Sequence, residues 1–228
     1  MEDESGARLG SVTGVMLSGG LDSCVILAHL LAQGRQVQPF YIRTGVNWER
    51  CELTAVEQFL KAVDAPRLMP LTKLDLPLRD IYGRHWSLTG DQVPDARSPD
   101  EAVFLPGRNA LLLVKAVVWC QLNRVDELAL AALGTSPFAD ASVEFANRFQ
   151  DAMSFGAARR VRIVLPVADV GKAAVMKLGR QLPLHLSFSC IAPVDGLHCG
   201  RCNKCAERRQ AFRRSEMEDL TRYYVNGD

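Results

Sequence analysis

The chain has 228 residues, of which 48% are hydrophobic, and a formal net charge of +1. This length fits one domain, or one domain with a small appendage, and allows a substantial core. The near-neutral charge argues against a global electrostatic attraction to nucleic acid. The first eleven residues are polar and charged, and no apolar run reaches membrane-spanning length, so we expect a cytoplasmic protein without signal peptide or membrane segment.

Residues 12–33 predict a strand, a glycine-rich loop and a helix. The strand is expected at 12–18 and the helix at 21–33, with Ser18-Gly19-Gly20-Leu21-Asp22-Ser23 between them. Glycines let the backbone turn its N–H groups inward, and the helix N-terminus adds positive potential. Asp22 can orient the loop or hold Mg²⁺ beside a polyphosphate. We therefore predict an anion-binding loop. It lacks the terminal lysine and the three-glycine spacing of the two commoner phosphate loops.

Strand and helix patterns alternate along the rest of the chain. Further strands are expected at 37–42, 67–71, 127–133 and 161–165, and further helices at 48–63, 108–123, 143–156 and 170–181. This alternation predicts an α/β fold, a parallel sheet with helices on both faces and a ligand at the carboxyl ends of the strands. The helix at 108–123 is apolar nearly all round, as expected for packing on both sides.

The segment 72–101 interrupts this alternation. It is rich in proline and glycine and shows few periodic hydrophobic residues. A loop of this length is typical of a lid or of a partly disordered segment. His85 and Trp86 within it could contact substrate, and an ordinary surface loop is the alternative.

Two later segments carry polar groups suited to phosphate. Arg108 and Asn109, in Pro106-Gly107-Arg108-Asn109, stand at a helix start and can offer planar donors to phosphate or adenine. Lys172 stands in the first turn of a later helix, where its charge opposes the helix dipole, which favours a phosphate-facing role. A capping turn and a solvated lysine are the structural alternatives.

Four of the seven cysteines follow the spacing C-x8-C-x2-C-x2-C, at Cys190, Cys199, Cys202 and Cys205. Four thiolates can close a tetrahedron around Zn²⁺ and leave no open position, which predicts a structural ion. An iron–sulfur cluster is the chemical alternative. We expect Cys205 on the first turn of the following helix and His198 in solvent.

The loop, the Pro-Gly-Arg-Asn segment and the Cys-Gly-x-Cys-x-x-Cys cluster together resemble the 7-cyano-7-deazaguanine synthase family of the ATP-pyrophosphatase loop superfamily. The resemblance implies a Rossmann-like fold of the adenine nucleotide alpha hydrolase type over residues 12–189. It implies a small zinc-binding module with a basic helix over 190–215, packed on the same domain, and a homodimer. It also implies ATP as co-substrate, Mg²⁺ and structural Zn²⁺.

Members of this family adenylate 7-carboxy-7-deazaguanine with ATP and release pyrophosphate. Ammonia then displaces AMP, and a second ATP drives dehydration of the amide to the nitrile. The resemblance implies nucleotide-binding roles for Leu17, Ser18, Gly19, Gly20, Leu21, Asp22, Ser23, Arg108 and Asn109. It implies catalytic roles for Ser18, Asp22, Ser23 and Lys172, substrate contacts for Asp140, Glu144 and Phe145, and metal binding by Cys190, Cys199, Cys202 and Cys205.

Two segments depart from the family pattern. Residues 43–49 read Arg-Thr-Gly-Val-Asn-Trp-Glu where the family usually carries Asp-Tyr-Gly-Gln-Arg-His, and residues 134–145 lack the family's cysteine, arginine and proline. A diverged member that transfers a related deazapurine acid to another acceptor, such as a protein, is therefore an alternative. A non-catalytic ATP sensor is another.

A tRNA-thiolating enzyme is the third alternative, because the helix after the cysteines is basic. Its positive side chains could touch RNA, although a solvated face is the simpler interpretation and nucleic acid is not the expected partner. The residues concerned are Arg201, Lys204, Arg208, Arg209, Arg213 and Arg214.

Overall fold

A five-stranded parallel sheet lies at the centre of the computed structural model, which describes residues 12–224. The strands are β1 Val12–Met16, β2 Gln36–Arg43, β3 Thr72–Asp75, β4 Glu127–Ala129 and β5 Arg162–Val164. Their order is β3-β2-β1-β4-β5, and each neighbouring pair is parallel. Because parallel neighbours need crossover connections, helices link the strands. The predicted α/β architecture is confirmed.

Helices cover both faces of this sheet. They are α1 Leu21–Ala32, α2 Glu49–Val63, α3 Arg79–Tyr82, α4 Trp86–Thr89, α5 Arg108–Asn123, α6 Val143–Ser154, α7 Lys172–Leu178 and α8 Asn203–Arg214. One buried cluster joins the sheet to α1, α2, α7 and α8 through side chains such as Val15, Phe59 and Phe212. A second cluster joins it to α5 and α6 through Phe40 and Leu113. Burial of these side chains is the main favourable term in folding.

The third strand begins later than predicted. We expected it at 67–71, where Leu68 makes a single bridge to Val37, and it lies at Thr72–Asp75 instead. Pro70 has no N–H to donate to a ladder. The Gln38 side chain instead donates to the Pro70 carbonyl at 2.8 Å and to Thr72 Oγ1 at 3.1 Å.

The segment 72–101 is folded rather than partly disordered. It carries β3, α3 and α4 and then pairs with the cysteine-rich region. Asn203 donates its backbone N–H to the Pro94 carbonyl at 3.0 Å and its side-chain amide to the Ser98 carbonyl at 2.9 Å. The segment is therefore tied to the C-terminal part of the fold.

Helix α5 is covered on one side only. Val114, Val118 and Leu122 follow each other at a spacing of four residues and are 40%, 41% and 79% exposed. Within one chain, the described part of this helix therefore packs on one side and leaves an apolar stripe exposed on the other.

Two further expectations from the sequence were the lack of a signal peptide and the lack of a membrane-spanning helix. The polar residues 1–11, on which the expected lack of a signal peptide rests, lie outside the described residues. Among residues 12–224, none of the helices combines the length and apolar character needed to cross a bilayer.

Candidate active site

The predicted anion-binding loop connects β1 to α1 at the carboxyl end of the sheet. Gly19 has φ +81°, and a Cβ there would lie 2.9 Å from Val56 Cγ2, so the position requires glycine. Ser23 Oγ donates to the Gly20 carbonyl at 3.1 Å and lies 3.2 Å from the Oγ of the exposed Ser18. The loop thus places two hydroxyl groups at the start of α1, where the helix dipole favours an anion.

A chain of alternating charges runs from this loop to α8. Lys172 Nζ donates to Asp22 Oδ2 at 2.7 Å and lies 3.6 Å from Glu207 Oε1. Glu207 Oε2 in turn accepts from Lys204 Nζ at 2.6 Å. Burial alone would raise the pKa of Glu207, but the two ammonium groups together hold it below its usual value. The structure therefore brings Lys172 to the loop. It adds Glu207, for which the sequence predicted no role, and Lys204, which was expected only as part of the basic helix.

Two buried polar atoms at the cleft have no hydrogen-bond partner within residues 12–224. They are Asp22 Oδ1 and Arg108 Nε. Buried polar atoms without a partner are costly, so they are strong candidates for ligand contacts. Arg108 begins α5 after Gly107, whose φ is +72°, and Asn109 donates its side-chain amide to the Asp140 carbonyl at 3.2 Å.

These residues surround one cavity of about 270 Å³. An adjoining cavity of about 180 Å³ extends between the carboxyl ends of β1 and β2 and the start of α5. The residues that line both cavities are Ser18, Gly20, Asp22, Glu52, Arg108 and Asn109. A further cavity of about 560 Å³ opens beside the first and shares Asp22, Asn109, Phe138, Lys172, Lys204 and Glu207 with it. The 270 Å³ and 180 Å³ cavities, called the larger and the smaller compartment below, meet at the phosphate loop, Glu52 and Arg108.

Two aromatic pairs line the larger compartment. Trp48 stacks on Trp86 with ring centroids 5.9 Å apart, and Phe104 stacks on Phe138 at 5.5 Å. Flat apolar walls of this kind suit a planar heterocycle. Trp86 lines this compartment, so its position is compatible with the substrate contact that the sequence suggested for it.

Glu52 is a cleft residue that carried no local signal in the sequence. Tyr41 donates its hydroxyl to Glu52 Oε2 at 2.7 Å. Burial raises the pKa of Glu52 to about 7, although the Arg108 charge and hydrogen bonds from Tyr41 and Trp48 act to lower it. Acidic residues are common on the exposed faces of helices, so only the fold distinguishes this one from its neighbours on α2.

Two of the predicted substrate contacts do not line either cavity. Glu144 is largely exposed and pairs with Arg148 at 2.6 Å, and Phe145 stacks on Phe149 with centroids 5.7 Å apart. From this stretch of chain, Asp140 and Phe138 are the residues that line the larger compartment.

The four predicted metal ligands converge at one buried point. All four sulfur atoms lie within 4.8 Å of one another, and the Cys190–Cys202 and Cys199–Cys205 Sγ distances are both 3.9 Å. A tetrahedron with Zn–S bonds of ~2.3 Å has sulfur–sulfur edges of ~3.8 Å. The backbone N–H of Cys199 donates to Cys190 Sγ at 3.2 Å, which stabilises a thiolate. The set fits one tetrahedral ion better than a four-iron cluster, whose cysteines bind separate irons.

His198 does not lie in solvent. It is 5% exposed, its ring lies between Phe188 and Tyr223, and Nε2 accepts the Ser189 N–H at 3.1 Å. Burial lowers the pKa of His198 to about 3, so the ring is neutral. The expectation of a solvated histidine is wrong, and the side chain supports the Phe188–Ser189 wall of the cleft instead.

The basic helix is not a purely solvated face. Arg208 is 1% exposed and donates to the Leu184 carbonyl at 2.7 Å, to Thr221 Oγ1 at 2.8 Å and to Ser187 Oγ at 2.9 Å. Its guanidinium therefore fastens α8 to the preceding segments and lines the cleft. It is not available to RNA at the surface.

Comparisons with known proteins find similar sequences over most of this chain. The family model described as queuosine biosynthesis protein QueC matches residues 13–216. A 7-cyano-7-deazaguanine synthase from Saccharophagus degradans is 30% identical over 92% of this chain and 96% of its own length. One from Leptospira interrogans is 27% identical over 90% of this chain and 88% of its own.

A solved structure shares the fold alone. The U34-tRNA thiolase NcsA from Methanococcus maripaludis, determined with its 4Fe-4S cluster, matches with a TM-score of 0.52 and 13% identity. The match covers 99% of this chain and 79% of that one.

Proposed function

This chain belongs to the family of queuosine biosynthesis protein QueC, and from that premise we propose that it converts 7-carboxy-7-deazaguanine to 7-cyano-7-deazaguanine with ATP, Mg²⁺ and ammonia. The observation that carries the proposal is the cleft itself. A phosphate loop, Lys172 and an unpartnered Asp22 oxygen lie beside a flat-walled compartment with Asp140 on its lining. An enzyme that activates a planar acid with ATP needs both a phosphate-binding loop and a flat-walled compartment for the acid.

The polyphosphate of ATP is proposed to lie on residues 17–23. Ser18 and Ser23 hydroxyl groups and the backbone N–H groups at the start of α1 donate to it. Lys172 and Arg108 face it with positive charge, and Asn109 contacts the nucleotide. Mg²⁺, when bound, would be held by Asp22 and would neutralise the charge of the phosphates.

The deazapurine acid is proposed to stack between the aromatic walls, with Asp140 accepting hydrogen bonds from its amine edge. Its carboxylate oxygen attacks the α-phosphorus, and pyrophosphate leaves with the bonding electrons. A carboxylate is a poor electrophile, and the attached AMP supplies a good leaving group. The protein needs only to position these groups and to stabilise the charges.

The cysteine cluster is proposed to hold structural Zn²⁺, with Cys190, Cys199, Cys202 and Cys205 as its complete ligand set. Residues 190–215 then form a small zinc-binding module that packs on residues 12–189. The packing of α8 supports this arrangement, because its Ala211 and Phe212 belong to the same buried cluster as the side chains of α1.

We expect the protein to be a homodimer that buries the apolar stripe of α5. Exposed Val114, Val118 and Leu122 support this assembly, because exposed apolar patches mark interaction surfaces. Leu122→Glu should convert the dimer to a monomer in light-scattering measurements, while Leu178→Glu, at an exposed leucine of α7, should leave it intact. A monomeric wild-type protein would contradict the expectation.

Mass spectrometry of products tests the proposed reaction. Incubation with 7-carboxy-7-deazaguanine, ATP, Mg²⁺ and ammonium should yield the amide and then the nitrile, with AMP and pyrophosphate. Unchanged acid, together with AMP formation from a different acid, would favour a diverged member with another acceptor. Tight ATP binding without pyrophosphate release from any acid would favour a sensor.

A further inference from the structure

Glu52 lies where the two compartments of the cleft meet. It lines both the 270 Å³ and the 180 Å³ cavities, together with Ser18 and Arg108. If the nucleotide occupies one compartment and the acid the other, as the proposed function requires, the bond that joins acid to AMP must lie at this junction. On that premise the reacting carbonyl carbon lies close to this shared lining, which holds two carboxylates, Asp22 and Glu52. Asp22 is already paired with Lys172, which leaves Glu52.

The structure holds this carboxyl in position and leaves it free to accept a proton. Tyr41 donates to Oε2 at 2.7 Å, and a Cβ at Gly19 would lie 3.4 Å from Glu52 Cγ, so the side chain packs against the phosphate loop. A carboxylate can accept about four hydrogen bonds. The bonds from Tyr41 and Trp48 leave capacity for a substrate N–H.

We propose that the Glu52 carboxylate accepts the protons that the attacking nitrogen loses. Ammonium first gives one proton to Glu52, which passes it to solvent. The ammonia so formed makes a C–N bond to the acyl-adenylate carbon, the C–O bond to AMP breaks, and AMP leaves with the electron pair. The acylated nitrogen, which is now strongly acidic, then loses a second proton to Glu52 or directly to water. After the second ATP adenylates the amide oxygen, the remaining two N–H protons leave by the same route as AMP departs and the nitrile forms.

The surroundings of Glu52 suit this role. The facing groups are Tyr41 on β2, Arg108 on α5 and Glu49 on its own helix, with Asp22 on the same cleft lining. Burial, opposed by Arg108 and the two hydrogen bonds, raises the pKa of this carboxyl to about 7. A general base is most effective when its pKa lies near the working pH.

Two nucleophiles separate this role from a structural one. At neutral pH ammonia is almost entirely ammonium, which must lose protons, whereas hydroxylamine is mostly uncharged and can trap the acyl adenylate without a base. Glu52→Gln should lower amide formation by at least ~100-fold and leave hydroxamate formation nearly unchanged. Glu57→Gln, at an exposed residue of α2 that pairs with Lys73, should leave both rates unchanged.

Equal loss of amide and hydroxamate in Glu52→Gln, or no loss of either, would overturn the proposal. Absence of hydroxamate with wild-type protein would instead refute the proposed adenylation, and the role of Glu52 with it. Tyr41→Phe provides an independent variant, decisive if Glu52→Gln does not fold. Because the Tyr41 hydrogen bond lowers the pKa of Glu52, its removal should shift the acid limb of the amide-forming rate to higher pH. An unshifted limb would contradict the assignment.

Discussion

Asp22→Asn is expected to lower pyrophosphate release by about 100- to 1,000-fold or more. Oδ2 of Asp22 holds Lys172 at 2.7 Å, and Oδ1 is buried without a partner within residues 12–224, where a ligand can reach it. Asparagine keeps the shape but removes the charge that holds the lysine and would hold Mg²⁺. Losing one preorganised electrostatic contact at a reacting centre typically costs a rate factor of this size. Pyrophosphate release with saturating acid, ATP and Mg²⁺ measures it.

The fold should survive this change. The Asp22–Lys172 pair is partly exposed, and such pairs contribute at most about 1 kcal/mol to the free energy of unfolding. Asp126→Asn is the matched control, because Asp126 also pairs with a basic residue, Arg159, but just before β4 at the opposite end of the sheet. The control should keep wild-type turnover. If Asp22→Asn released pyrophosphate at the wild-type rate, the proposed role of the loop in the reaction would be wrong.

Ser18→Ala should also abolish turnover while leaving the fold intact. The Ser18 hydroxyl is exposed at the loop, beside Ser23 Oγ. Its loss removes a donor from the expected path of the polyphosphate and no buried packing. A thermal unfolding curve matching the wild type, with pyrophosphate release lost, is the expected pair of results; retained turnover would contradict the role.

Cys202→Ala is expected to lose the metal and to destabilise the protein by at least about 3 kcal/mol, or ~10 °C in Tm at this chain length. Metal binding and local folding are coupled, because a preformed thiolate set does not exist in the unfolded chain. Elemental analysis and thermal unfolding measure the two effects. Cys51→Ser, at a half-buried cysteine outside the cluster, should change neither strongly.

Loss of the metal in Cys202→Ala should also disturb the residues that line the cleft. The cysteine cluster shares a buried core with Trp48 and Phe188, and the helix that starts at Asn203 carries Lys204 and Glu207 into the cleft. We therefore expect Cys202→Ala to reduce pyrophosphate release as well. A metal-free variant with wild-type Tm and full activity would contradict the structural role of the ion.

Features that depend on residues close together in the sequence could be predicted. The strand–loop–helix unit at 12–33 depends on hydrophobic periodicity and on glycine, and both act within a few residues. The four cysteines depend on spacing that metal geometry restricts. By contrast, the third strand was misplaced because the Gln38 side chain supplies hydrogen bonds to residues 70–72 from a neighbouring strand. His198 was misjudged because Phe188 and Tyr223, which enclose it, lie 10 and 25 residues away.

From the order of its residues alone, this chain specifies an α/β sheet, a glycine-rich loop at the end of the first strand and four cysteines at a spacing that suits one metal ion. Each of these follows from local backbone preference or from ligand spacing. Tertiary structure alone decided that Glu52 lies between the two compartments, that the Trp48–Trp86 and Phe104–Phe138 pairs line the larger one, and that α8 brings Lys204 and Glu207 to Lys172. These are contacts between distant parts of the chain. Their energies depend on burial and distance, which no short stretch of sequence contains.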